Sequence, residues 1–155
     1  MIRRARADEA ETLLLIQREA AVAAFAHIFP PERYPFPDED VLTAWREALA
    51  DPDVEAYLAV VDGRAVGSLS IATDFLRTLF VLPSHWSQGI GSALHDFALT
   101  RLRERGCSHV KLWTLEENYP ARRFYEKRGW YLNGETRVVP FPPNPLDVGY
   151  SLDLR

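Results

Sequence analysis

The sequence predicts an α/β fold in which a mixed central sheet is flanked by helices, in the order β-α-α-β-β-β-α-β-α-β-β. Three observations carry the prediction. Four segments place apolar residues at helical spacing, seven others are short and apolar, and Gly, Pro, Asp or Asn stands at most changes of period. The 155 residues, 47% of them apolar and 12% aromatic, suffice for one full core, and no linker, repeat or low-complexity stretch divides residues 1–155.

After a short strand at Ile2 to Ala5, Asp8 and Glu11 have the D-x-x-E spacing of a capping box. Leu13, Ile16, Ala20 and Ala24 mark a first helix from about Glu9 to Ala26. Four of the 11 prolines lie in 30–37 and stop it. A second helix opens at the acids Asp38, Glu39 and Asp40, gathers Val41, Trp45, Ala48 and Leu49 on one face, and ends at Asp51-Pro52. The Asp62-Gly63 pair between the apolar runs 57–61 and 65–71 is a hairpin signal. Leu76 to Leu82 is a third short strand, ended by Pro83. Ile90, Leu94, Phe97, Ala98 and Leu102 form one face of a helix between Gly89 and Arg105, stopped by Gly106. Val110 to Leu115 is the next strand. Asn118 can cap a helix that tolerates Pro120 in its first turn and stops at Gly129. Trp130 to Val138 and Asp147 to Leu154 are the last strands, flanking a second proline loop at 140–145.

Composition then removes several function classes. With 18 basic and 22 acidic residues the formal net charge is −4, which offers no general attraction to nucleic acid or to an anionic membrane. An anionic ligand must be held by local geometry. The single cysteine, Cys107, permits neither an intramolecular disulfide nor a Cys-rich metal site and points to a reducing, cytoplasmic setting. His85, His95 and His109 are dispersed without metal-ligand spacing, so no metal is expected. Acids at Asp8, Glu9 and Glu11 follow the basic start before any apolar run, so no signal peptide is read there. No apolar stretch approaches the ~20 residues that span a bilayer, and a soluble protein is expected.

The most informative stretch is the strand 76–82, the loop Pro83-Ser84-His85-Trp86-Ser87-Gln88, and Gly89-Ile90-Gly91-Ser92-Ala93-Leu94 opening a helix. Glycines let main-chain N–H groups approach a ligand, and a helix N-terminus has unpaired N–H groups, so the combination suits a pyrophosphate. A dinucleotide fingerprint would need a third glycine where Leu94 stands, and a Walker A loop would need a Gly-Lys-Ser/Thr ending that is absent. An ordinary tight turn would explain the glycines alone.

Read together, Leu79-Phe80-Val81-Leu82-Pro83, the Gly89 to Leu94 segment and Asn118-Tyr119-Pro120-Ala121-Arg122-Arg123-Phe124-Tyr125-Glu126-Lys127-Arg128-Gly129-Trp130 resemble the GNAT superfamily of acetyl-CoA-dependent N-acetyltransferases. The element order is similar to that fold over the whole chain. The resemblance implies a Q/R-x-x-G-x-G/A pyrophosphate segment on Trp86, Ser87, Gln88, Gly89, Ile90 and Gly91, followed by Ser92. Trp86 departs from the usual Gln or Arg, and Ser87 stands where glycine is common. It further implies acetyl-CoA contacts from Leu79, Phe80, Val81, Asn118, Arg122 and Tyr125, with an oxyanion-stabilising N–H near Phe80 or Val81. Tyr125 is the implied proton donor to the CoA sulfur; the alternative is a core anchor.

Acetyl transfer needs a neutral amine, and an alkyl amine of pKa ~10.4 is protonated at pH 7. Many relatives place a Glu early in the strand before the glycine turn; here that position is Phe75. Asp74, one residue away and acting through water, is the chosen base, with Glu116, Glu117 and His27 as alternatives. The resemblance puts the acceptor under the two proline-rich loops, where Phe25, His27, Phe29, Tyr34, Phe36 and Phe141 can line an apolar slot and Glu32 and Asp38 can attract a cation. The expected function is acetyl transfer to a primary amine of a small molecule or peptide, with CoA as product. A non-catalytic acyl-CoA sensor and an O-acetyltransferase are the alternatives. A homodimer is the assembly common in that superfamily.

Overall fold

The computed structural model describes residues 1–154. Its strands are β1 (Ile2–Arg4), β2 (Val54–Val61), β3 (Arg64–Ala72), β4 (Phe75–Val81), β5 (His109–Leu115), β6 (Tyr131–Val138) and β7 (Leu146–Asp153). Its helices are α1 (Ala10–Ala24), α2 (Asp38–Ala50), α3 (Ile90–Glu104) and α4 (Tyr119–Lys127). They occur in the order expected, and one seven-stranded sheet forms, β1-β2-β3-β4-β5-β7-β6.

Two apolar clusters cover opposite faces of the sheet. Leu13 and Ile16 of α1 and Trp45 of α2 meet Ala56 and Leu58 on one face, while Leu94, Ala98 and Leu102 of α3 meet Leu69, Ile71 and Val110 on the other. The alternation of β-strand side chains sends successive residues to these two cores. Turn chemistry agrees with the strand ends: Asp62 and Gly63 both have positive φ, at 50° and 75°, as a two-residue hairpin turn of matching twist requires.

The expected Asp8–Glu11 capping box is not formed. Glu9 precedes α1, and its carboxylate instead takes two 2.8 Å hydrogen bonds from the Arg3 guanidinium and one of 2.8 Å from the Arg6 main-chain N–H. The helix takes Glu9 at the cap position, one residue later than the box requires, and the Asp8 carboxylate lies 3.4 Å from the Arg6 guanidinium instead. The bonds from Arg3 and Arg6 hold the Glu9 carboxyl down at about 2. Glu9 thereby ties β1 to the start of α1.

The sheet is weakest at its centre. A bulge in β4 leaves Arg77 without a partner between the pairs Ser70–Thr78 and Ile71–Leu76. Bulges bend and twist a strand. Before the bulge β4 meets β5 in a single parallel pair, Phe75 with Lys111, and after it the two strands diverge.

Candidate active site

The divergence opens a cleft of about 520 Å³ between β4, α1, α3 and α4. Strand parity decides which main-chain groups face it. The Leu82 N–H donates to the Val66 oxygen on β3 at 2.8 Å, so alternation turns the peptide groups of Phe80 toward β3 and those of Leu79 and Val81 toward the cleft. Of the two N–H groups expected here, that of Phe80 faces β3 and that of Val81 faces the cleft, with Leu79 beside it. The Phe80 side chain, not its N–H, borders the cleft.

The loop and glycine segment close one end. His85, Trp86, Ser87, Gly89, Gly91 and Ser92 line it. Ser87 has φ 63° and Gly89, the residue before α3, has φ 83°. The turn therefore needs left-handed backbone at both positions, and Gly89 supplies it without a Cβ penalty. The Gln88 side chain instead donates to the Ser84 oxygen at 3.4 Å, and Ile90 packs into the core beside Gly67, so neither side chain is a wall.

Arg128 supplies the positive charge at this end, a role that nothing local in the sequence marked. Its guanidinium lies 3.6 Å from the Phe124 ring centroid, donates to the Ser92 hydroxyl at 2.6 Å, and donates to the Phe124 oxygen at 3.0 Å. Arg122, the arginine expected here, is committed elsewhere. It donates to the Tyr150 hydroxyl at 3.0 Å and to the Glu116 oxygen at 2.9 Å, and Tyr150 in turn donates to Glu126. A long-range partner on β7 draws Arg122 out of the cleft.

Tyr125 and Asn118 line the same cleft from α4. The Asn118 side-chain oxygen accepts from the Ala121 N–H at 3.3 Å as the helix cap, which leaves its amide N–H groups for a ligand. Tyr125 is buried among Phe124, Trp130 and His95, with ring centroids at 5.3, 5.8 and 6.4 Å. Burial pushes its phenol well above the ordinary value, so it stays protonated. Among the described residues its hydroxyl has no hydrogen-bond partner, and it borders the cleft.

A second cavity of about 650 Å³ adjoins the first, and Ala21, Phe25 and Phe80 belong to the walls of both. Phe29, Tyr34, Phe36 and Phe141 line it together with Pro31, Pro35, Pro37 and Pro142 from the two proline loops. Among the described residues its charged ones are Arg33, Arg137 and Asp147. Asp147 is buried and accepts from the Arg137 guanidinium at 3.0 Å, while Arg137 lies 4.5 Å from the Trp113 ring centroid.

The model of the acetyltransferase (GNAT) family matches residues 6–130. The chain belongs to the GNAT acetyltransferase family. It is 29% identical over 135 residues to an uncharacterised N-acetyltransferase of Archaeoglobus fulgidus, covering 80% of this chain and 88% of that one. It is 30% identical over 138 residues to the peptidyl-lysine N-acetyltransferase YjaB of Salmonella typhimurium, covering 88% and 87%. The fold superposes with a TM-score of 0.76 on the PaiA N-acetyltransferase of Thermoplasma acidophilum in complex with coenzyme A, at 20% identity and covering 99% and 98% of the two chains. The protein is an N-acetyltransferase of the GNAT family.

Within this GNAT fold several expected residues do not come together. Asp74 sits in the β3–β4 turn and lines neither large cavity. At about 3.3 Å per residue it lies roughly 16–23 Å along the strand from Leu79 and Val81. The bulge that could have brought it round falls after it, at Arg77. His27 lies outside the aromatic cavity, its Nε2 3.1 Å from the Glu117 oxygen, beside a smaller pocket that also contains Glu116. Glu32 is not a wall, and Asp38 pairs with Arg18 at 2.9 Å. Asp147, which only the pairing of β7 with β5 and β6 places, is among the described residues the one side-chain carboxylate on the walls of either large cavity.

Proposed function

We propose that this chain transfers the acetyl group of acetyl-CoA directly to a primary amine of a small molecule or peptide. The observation that carries the reading is the junction at Phe80, where a cleft ending in a glycine turn meets an apolar cavity. The relative's activity on peptidyl-lysine and the structural neighbour's complex with coenzyme A support the same chemistry.

The turn fits a pyrophosphate. A Cβ added at Gly89 would meet nothing within 4 Å, and one at Gly91 nothing closer than 3.9 Å, so no described residue fills the space beside the turn, and the first N–H groups of α3 have no partner within the helix. Trp86 to Ser92 would hold the phosphates, with Arg128 as counter-charge. The Leu79 main chain and the Asn118 amide would hold the amide-bearing arm.

When bound, acetyl-CoA supplies the acyl carbon: a C–N bond to the amine forms, the C–S bond breaks, and of the two protons the ammonium loses, one ends on sulfur and one in solvent. The N–H of Val81 stabilises the negative charge that develops on the acyl oxygen. Tyr125, kept protonated by burial, is the proton donor. Asp147, directly or through water, receives the proton from the ammonium, the role that Asp74 is too remote to fill. Residues 1–155 act as one acetyltransferase domain, and the near absence of cysteine supports a cytoplasmic setting.

Calorimetry with acetyl-CoA, and thiol release over a panel of amines against a no-enzyme control, test the reading. Binding followed by amine-dependent CoA release is expected. No binding at millimolar cofactor, or binding with no release for any amine, overturns it.

A further inference from the structure

The acceptor cavity has a chemistry of its own, and it narrows the amine. We propose that the acceptor is an aromatic monoamine: one primary amine on an aryl-alkyl body, with any second charged substituent anionic. This rests on the acetyl-transfer reading above and names the substrate of that same site.

Shape and lining give the first half. Phe25, Phe29, Tyr34, Phe36, Phe80 and Phe141 surround a space of about 650 Å³, within the ~300–1,000 Å³ typical of small-ligand sites. Four prolines from two separate loops stiffen the same walls. Aromatic walls reward an aromatic guest through area and through edge or offset ring contacts. Gln17, the one amide on the wall, has its side-chain oxygen already taken by the Trp45 indole N–H at 2.8 Å. A sugar-like acceptor would leave its hydroxyls unpaired against these carbon surfaces, which is costly.

Charge gives the second half. Among the described residues the cavity holds two guanidinium groups and one carboxylate. Asp147 can meet one ammonium while keeping its bond to Arg137. A polyamine or a polyamino sugar would bring further ammonium groups among Arg33, Arg137 and hydrocarbon, with no second carboxylate to receive them. Arg33 forms no ion pair among the described residues, is exposed, and lies with its guanidinium 5.5 Å from the Tyr34 ring centroid. It is available to a carboxylate on the guest. The transfer itself converts the bound ammonium to the N-acetyl amide, with CoA thiol and one proton released.

The test uses the full chain saturated with CoA and titrated calorimetrically with 2-phenylethylamine, phenylalanine and spermidine, alongside acetylation of each read by product mass. Measurable binding of the two aromatic monoamines is expected, with kcat/KM for the better of them at least tenfold above that for spermidine. Phe141→Ala and Phe29→Ala should each weaken aromatic-amine binding about tenfold while leaving acetyl-CoA affinity unchanged. Asp147→Asn should weaken amine binding at pH 7 in the same way, and because Asp147 is buried the two phenylalanine variants keep the question open should that protein not fold. Tighter binding or faster acetylation of spermidine, no binding of either aromatic amine, or unchanged affinity in both phenylalanine variants overturns the proposal. CoA release with spermidine alone would leave acetyl transfer intact and refute only the aromatic class. Aromatic-amine binding without acetylation of any amine would support the pocket and refute the transfer.

Discussion

The indole N–H of Trp86 donates to the main-chain oxygen of Val81 at 2.7 Å, tying the loop before the glycine turn to the unpaired side of β4. The side chain is 45% exposed, so this bond, more than burial, holds it. Trp86→Phe keeps the ring and removes the bond, a loss of about 1 kcal/mol of loop order. Acetyl-CoA binding should weaken about fivefold with little change in kcat, as calorimetry and steady-state rates would show.

Among the described residues no group hydrogen-bonds the Tyr125 hydroxyl. Tyr125→Phe therefore fills the same volume and should leave the melting temperature and acetyl-CoA affinity nearly unchanged. Turnover should fall about 10²–10⁴-fold, the range for loss of a general acid. Because burial holds the phenol above its ordinary value, wild-type activity should show no alkaline loss from this group below pH 10. Equal turnover in the variant would remove Tyr125 from the mechanism.

Arg128 joins the end of α4 to the start of α3 through Ser92. Arg128→Gln removes the charge and its place over Phe124. Weakening of acetyl-CoA binding by about tenfold is expected at low salt, with a smaller difference from wild type as ionic strength rises. Titrations at two salt concentrations would check both statements.

His95 is buried and accepts the Trp130 indole N–H at Nε2, 3.0 Å away, with Nδ1 3.1 Å from Asp96. Trp130 can only donate, so Nε2 is unprotonated and the Nδ1–H faces Asp96. Burial lowers the His95 pKa, the positive charge of Arg128 works the same way, and Asp96 opposes both. The unfolded chain therefore binds this proton more readily. The stabilising contribution is complete above the ordinary histidine value of ~6.5 and is lost as pH falls through the lowered folded value. His95→Gln, whose oxygen can still accept from Trp130, should cost about 1–2 kcal/mol at pH 8. It should also flatten the decline in melting temperature between pH 7 and pH 5.

Local chemistry made most of the fold legible. Gly63, Gly106 and Gly129 take the positive φ their turns require, and Pro83 and Asn118 mark the boundaries where a strand ends and a helix begins. What the sequence hid depends on partners distant along the chain. Arg122 looks as available as Arg128 until Tyr150 takes it, and Asp8 looks like a cap although the helix takes Glu9, held by Arg3, at that position. Asp147 carries no local signal at all. It becomes a cavity wall only because β7 inserts between β5 and β6 and pairs Asp147 with Leu115 and Arg137. Asp74 misled for the complementary reason, since adjacency to Phe75 in sequence says nothing of which end of the strand the cleft occupies.

The single Phe75–Lys111 pair leaves the two halves of the sheet, β1 to β4 and β5 to β7, sharing almost no ladder. Side-chain packing and the α3 crossover must do what strand pairing does elsewhere. A molecule lying along that seam, supplying amide groups of its own, would stand in for an absent strand. Such a ligand would act as a fastener between two leaves, so that occupancy is read as resistance to heat: by mass action about 2.7 kcal/mol at a hundred times its Kd. Cofactor supply would then govern how long the enzyme survives as well as how fast it works.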